Sequence, residues 1–148
     1  MIKRILVASD GSPHAGKAVA VAGELAAALG AKVFVLYAVS SATHGSVLEG
    51  YEDLADLEHM TVGDVLQAVG DEILTRAEDR LRAAGVAAVE RLLPTAPADQ
   101  AILAAAKTHD VDLIVLGSRG LGEIEGLILG SVSHKVSQHA PCSCMTIK

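Results

Sequence analysis

Short apolar runs and helical stripes alternate along the chain. Residues 2–8 form an apolar run that closes at Asp10-Gly11-Ser12, a turn signal. Ser12 followed by Pro13 reads as an N-cap with proline in the first helical position. Ala18, Val21, Ala22, Leu25 and Leu29 then recur at helical spacing, and Gly30 closes that helix. Residues 32–39 are almost continuously apolar, as in a strand covered on both faces. Residues 40–60 have no clear period. A second helix is predicted from Thr61 to about Ala84 on Val65, Ala68, Val69, Ile73, Ala77 and Leu81, with Gly85 ending it. Residues 86–93 read as a third strand before Pro94. Pro97 opens a third helix that runs to His109, and residues 111–116 make a fourth strand. A glycine-rich loop spans 117–130, a short helix spans 131–139, and residues 142–147 form a last strand after Pro141.

Strands and helices thus alternate five to four, which requires right-handed crossovers and a parallel sheet. The expected fold is a doubly wound α/β/α sandwich in three layers. The length, 148 residues, suits one domain over 1–148 that needs neither disulfide nor metal to fold. Its aromatics are Phe34, Tyr37 and Tyr51 alone, so the core must be aliphatic. Few aromatics and a net charge of −6 argue against nucleic-acid binding. No apolar run approaches the ~20 residues of a membrane helix, and the N-terminal run is too short for a signal peptide. Cys142 and Cys144, two apart on a strand, lie at the edge of disulfide reach, and a reducing cytoplasm is expected. All of the charge deficit falls in residues 33–75, which hold eight acids and no Lys or Arg. Such a stretch reads as a solvated loop.

In open α/β sheets ligands bind beyond the carboxyl ends of strands, where strand order reverses. Two strand ends carry suitable chemistry: the segment from Ala8 to Ser12, and the segment from Gly117 to Gly120. Gly117, Gly120, Gly122 and Gly126 let backbone come close to a ligand. Gly130-Ser131 starts a helix whose free amides favour phosphate, with Ser131 and Ser133 as hydroxyl donors. The other reading is a plain loop with Ser131 as an ordinary N-cap. No P-loop motif and no nucleophile elbow are present, and Gly120 to Gly126 is one residue too long for a dinucleotide fingerprint. His139, Cys142 and Cys144 lack a fourth ligand and a zinc spacing, so no metal site is expected.

Gly117-x-x-Gly120, nine residues, then Gly130-Ser131 resembles the ATP-binding signature of the universal stress protein family. The resemblance spans the chain and includes the openings at 5–12 and 112–120, the segment 127–133, and His139-Ala140-Pro141-Cys142. It implies an adenine nucleotide alpha hydrolase-like sheet of order 3-2-1-4-5. It also implies that Asp10 accepts from the ribose hydroxyls, the alternative being a turn-former beside Gly11. Ala8 would lie beside the base, and the backbone of Val39 would read the adenine edge. Leu116, Gly117, Ser118, Arg119 and Gly120 would line the ribose and first phosphates, with Arg119 either a charge partner or a solvated arginine. Gly130, Ser131, Val132 and Ser133 would hold the outer phosphates, with Mg²⁺ carried by phosphate and water. The last strand would pair with its twin in a homodimer. The chain departs from the family at Glu123 and Glu125, two carboxylates that would repel a triphosphate unless they point outward or hold Mg²⁺. It departs again at Thr95, commonly glycine, and at Cys142 to Met145 in place of proline and valines.

The resemblance leads to a cytoplasmic ATP-binding stress-response module with at most slow hydrolysis, since no activated nucleophile or general base stands out. The rival readings are a module for AMP or cyclic AMP and a nucleotide-free dimeric interaction protein. An adenylating enzyme of similar architecture needs a Ser-Gly-Gly-x-Asp-Ser loop, which the chain lacks.

Overall fold

The computed structural model describes residues 1–40, 61–121 and 129–148. Five parallel strands lie in the order β3-β2-β1-β4-β5: β1 Arg4–Ala8, β2 Lys32–Leu36, β3 Val89–Leu92, β4 Leu113–Gly117 and β5 Ser143–Ile147. Among the described residues four helices connect them: α1 Pro13–Leu29, α2 Val62–Ala83, α3 Ala98–Thr108 and α4 Ser131–His139. This is the expected architecture. Every strand differs from expectation at one or both of its ends. Residues 37–39 leave β2, and the ladder resumes there only as a bridge between Val39 and Thr95.

Alternation sorts the sheet into two cores. Ile5, Val7, Val33, Val35 and Val115 face α1 and α2. Leu6, Phe34, Leu36, Ile114 and Leu116 face α3 and α4. The central strand is sealed on both sides, with Ile5, Leu6 and Val7 each 0% exposed. Burial of each such aliphatic side chain is worth ~1.5–3 kcal/mol, so the continuous runs in β1, β2 and β4 follow from their central places.

The helix ends are set locally. Ser12 caps α1 by accepting from Ala15 N at 3.3 Å, with Pro13 in the first turn and Gly30 closing the helix at φ 64°. Thr61 and Asp64 form a reciprocal capping box on α2. Hydrogen bonds from Thr61 hold the Asp64 carboxyl below its usual pKa. At the C-terminal end of α2, Gly85 takes φ 91° and Val86 N returns to Leu81 O at 3.1 Å.

The buried face of α1 is the expected one only in part: Ala18 and Ala22 are buried and Leu25 packs partly buried against the core. Ala15, Ala18, Val19, Ala22, Gly23 and Ala26 are buried, whereas Leu29 is 49% exposed. α1 packs closely against both the sheet and α2, and a Cβ on Gly23 would come 3.1 Å from the Ala84 Cβ. Small residues permit that approach, and Leu29 turns outward. Among the described residues, no helix is long and apolar enough to cross a membrane. Cys142 and Cys144 are unpaired and pack on the α3 and α4 side, where burial pushes both thiols up in pKa.

Candidate functional site

The carboxyl ends of β1 and β4 lie side by side, because the two strands pair and the order reverses between them. A cleft of about 570 Å³ opens there, walled by α3 and α4. It falls within the roughly 300–1,000 Å³ of small-molecule sites.

Asp10 joins the two strand-end loops. Its Oδ1 accepts from Ser12 N at 2.9 Å and its Oδ2 from Leu121 N at 3.0 Å. The turn-forming role is therefore real, and the same carboxylate also borders the cleft. Ala8, Leu116, Gly117, Arg119 and Gly120 border it from the strand ends. Gly130, Ser131, Val132 and Ser133 border it from α4.

Two expected positions point elsewhere, for the same reason. Successive residues of extended chain face opposite ways. Gly117 and Arg119 border the cleft, but Ser118 between them is 2% exposed, with its Oγ 2.9 Å from His14 Nδ1. Likewise Ala38 and Ser40 border the cleft, whereas Val39 packs in the core on the α1 and α2 side. The Val39 N–H donates to Pro94 O at 2.9 Å, so it is not open to a base edge. Gly122, Glu123, Glu125 and Gly126 lie outside the described residues, as does the acidic segment from 41 to 60.

The start of α4 is the expected one at Gly130-Ser131, and it decides against Ser131 as an ordinary N-cap. Gly130 is the N-cap and makes no side-chain bond, and Ser131 is already the first helical residue. The first helical bond runs from His134 N to Gly130 O at 2.9 Å. The amides of Ser131, Val132 and Ser133 precede it and lie at the cleft. Ser133 is not an open hydroxyl donor: its Oγ donates to Gly117 O at 2.7 Å. Ser131 remains exposed.

Three residues of consequence were not anticipated. Asp99 in the first turn of α3 and Lys135 in the second turn of α4 both border the cleft and pair at 3.6 Å. Asp99 follows a Pro-Ala helix start, and Lys135 stands four residues after Ser131, a spacing that shares one helix face. His14 pairs with Ser118 and resembles a nucleophile with its base, but Ser118 does not border the cleft. Among the described residues, no group of three His, Cys, Asp or Glu side chains is arranged to hold a metal ion.

The sequence and the fold are similar to those of known proteins. The sequence matches the Universal stress protein family over residues 1–148. A universal stress protein of Thermus aquaticus is 37% identical over 153 residues, covering all of both chains. The universal stress protein UspA from Lactobacillus plantarum superposes with a TM-score of 0.79 at 26% identity, covering 99% of this chain and 98% of that one. A universal stress protein crystallised in complex with cAMP gives 0.73 at 27% identity, covering 99% and 96%. With this fold and a match along its whole length, the chain belongs to the universal stress protein family.

Proposed function

We propose that the cleft binds an adenine nucleotide, ATP on the glycine spacing, and that the protein is a nucleotide-dependent regulatory module of the cytoplasm. One observation carries the reading. α4 opens at the cleft behind an N-cap with no side chain, so its first amides are free to receive an anion. Asp10 faces the same space with oxygens suited to a ribose diol. When ATP is bound, Mg²⁺ would be carried by its phosphates and water, neutralising charge there. Hydrolysis is at most slow, because the paired Ser118 and His14 are turned away from the cleft. The protein acts through the different affinity of its conformations for the ligand.

A second reading is a monophosphate or cyclic nucleotide. It is favoured by a cleft lined by two acids and two bases, Asp10, Asp99, Arg119 and Lys135. The family relative solved with cAMP supports the same choice. The test is to release ligand from the purified protein by heat, identify it by mass spectrometry, and titrate ATP, AMP and cAMP by calorimetry. A retained or saturable adenine nucleotide is expected, and its identity separates the two readings. No retained ligand together with no heat of binding overturns both and leaves a nucleotide-free interaction protein.

A further inference from the structure

Lys135 and Asp99 reach each other across the wall of the cleft. Asp99 Oδ2 lies 3.6 Å from Lys135 Nζ, with side-chain exposures of 22% and 61%. The pair bridges the first turn of α3 to α4, and both side chains border the cavity. Lys135 is the only ion-pair partner of Asp99 among the described residues. Helical side chains lean toward the N-terminus of their helix. The ammonium of Lys135 is therefore carried back toward the turn whose amides are open. Asp99 stands in the first turn of α3, where that helix's own dipole favours negative charge.

We propose that Lys135 is a specificity-determining residue of the cleft: it contacts the anionic group of the bound nucleotide, and Asp99 competes with that group for it. The proposal rests on the nucleotide reading above. In the empty protein Asp99 holds the ammonium in the wall. An entering phosphate takes over Lys135 and leaves Asp99 as an uncompensated like charge. The cleft thereby ranks ligands by charge. A ligand with one phosphate meets less opposition from Asp99 than one with three.

The test measures the affinities of adenosine, AMP and ATP for the wild type, Lys135→Gln and Asp99→Asn at low and high salt. Lys135→Gln is expected to weaken AMP and ATP about threefold, the scale of one partly exposed charge pair. Asp99→Asn is expected to tighten both, ATP more than AMP. Adenosine is expected to stay unchanged in either variant, and the differences to shrink at high salt. If Asp99 served only to cap α3, Asp99→Asn would weaken adenosine and nucleotides alike and lower the melting temperature, which overturns the proposal. Nucleotide affinities that ignore both substitutions overturn it too, while leaving the nucleotide reading intact. Failure of adenosine, AMP and ATP to bind the wild type removes both.

Discussion

At the scale of single residues, the glycines of the motif make room first for the chain itself. A Cβ on Gly117 would stand 2.8 Å from the His14 carbonyl carbon and 2.9 Å from Ala15 N, inside the first turn of α1. On Gly130 it would meet Ser118 O at 3.3 Å, and on Gly120 it would meet Asp10 Oδ2 at 2.6 Å. From the sequence these positions suggested close approach to a ligand; in the fold they let β4, α1 and α4 come together around the cleft. Gly120→Ala should therefore act by displacing Asp10 from Leu121 N. It and Asp10→Ala should each weaken nucleotide binding about tenfold, and the double variant should be little worse than either, because one interaction is lost in all three. Calorimetry on the four proteins measures the coupling, and additive losses would show that Gly120 serves the ligand directly. Asp10 was legible from its turn and strand-end position. Ser118 was misplaced because a motif spacing does not say which way an extended residue faces, and the spacing did not show that the Val39 amide is taken by Pro94 O.

At the scale of elements, the alternation of apolar runs and stripes was enough to give five strands, four helices and the layers. The buried face of α1 was legible only in part: hydrophobic spacing gives Ala18, Ala22 and Leu25 but also favours the exposed Leu29, while close packing against α2 and the sheet adds Ala15, Gly23 and Ala26. Asp99 and Lys135 were missed because their meeting depends on how α3 lies against α4. The tie between β1 and β4 was also invisible in sequence. Asp112, just before β4, accepts through Oδ2 from Lys3 N at 2.8 Å and Arg4 N at 2.9 Å at the opening of β1. These two backbone bonds hold its carboxyl below the usual carboxylate range. A carboxyl with a lowered folded pKa stabilises above its unfolded value, about 3.9, and loses that contribution as pH falls through the folded value. Asp112→Asn should thus melt below the wild type at neutral pH, and the gap should close as pH falls below about 4. Thermal unfolding followed from pH 7 to pH 3 checks this, and a gap that persists at low pH would mean the loss is steric rather than ionic.

At the scale of the whole molecule, β5 is the outer strand beyond β4, and no described residue pairs with its free side. Such an edge is an invitation to pairing unless it is covered. We propose that it pairs antiparallel with a second copy of the chain, as the family resemblance implies, and the ladder shows which backbone groups are free for it. Ile147 O accepts from Ser118 N at 2.7 Å, so residues 143, 145 and 147 turn their backbone groups to β4. Cys144 and Thr146 then present theirs at the free edge. We place the two-fold axis at Met145, which sets Cys144 opposite Thr146 of the partner subunit and uses both. Met145 is 36% exposed, and its Cα would lie ~4.5 Å from its twin, within the ~4.4–6.8 Å that a disulfide spans. Proline at Met145 would remove a bond to β4 and damage the monomer, whereas Thr146→Pro removes an edge donor and should split the dimer while leaving the fold intact. With Cys142 and Cys144 changed to serine, Met145→Cys should cross-link to a covalent dimer on mild oxidation, and Thr146→Cys should not. Non-reducing electrophoresis and light scattering read both results. A wild-type monomer at micromolar concentration would place the assembly surface elsewhere, and cross-linking at 146 in preference to 145 would overturn the axis at Met145. Because Ser118 N binds Ile147 O while Ser118 O receives Gly130 N at 2.6 Å, the same residue links the free edge to the start of α4. Nucleotide binding should therefore tighten or loosen the dimer in the wild type, and a dimer constant indifferent to saturating nucleotide would show that the link carries no free energy between the two sites.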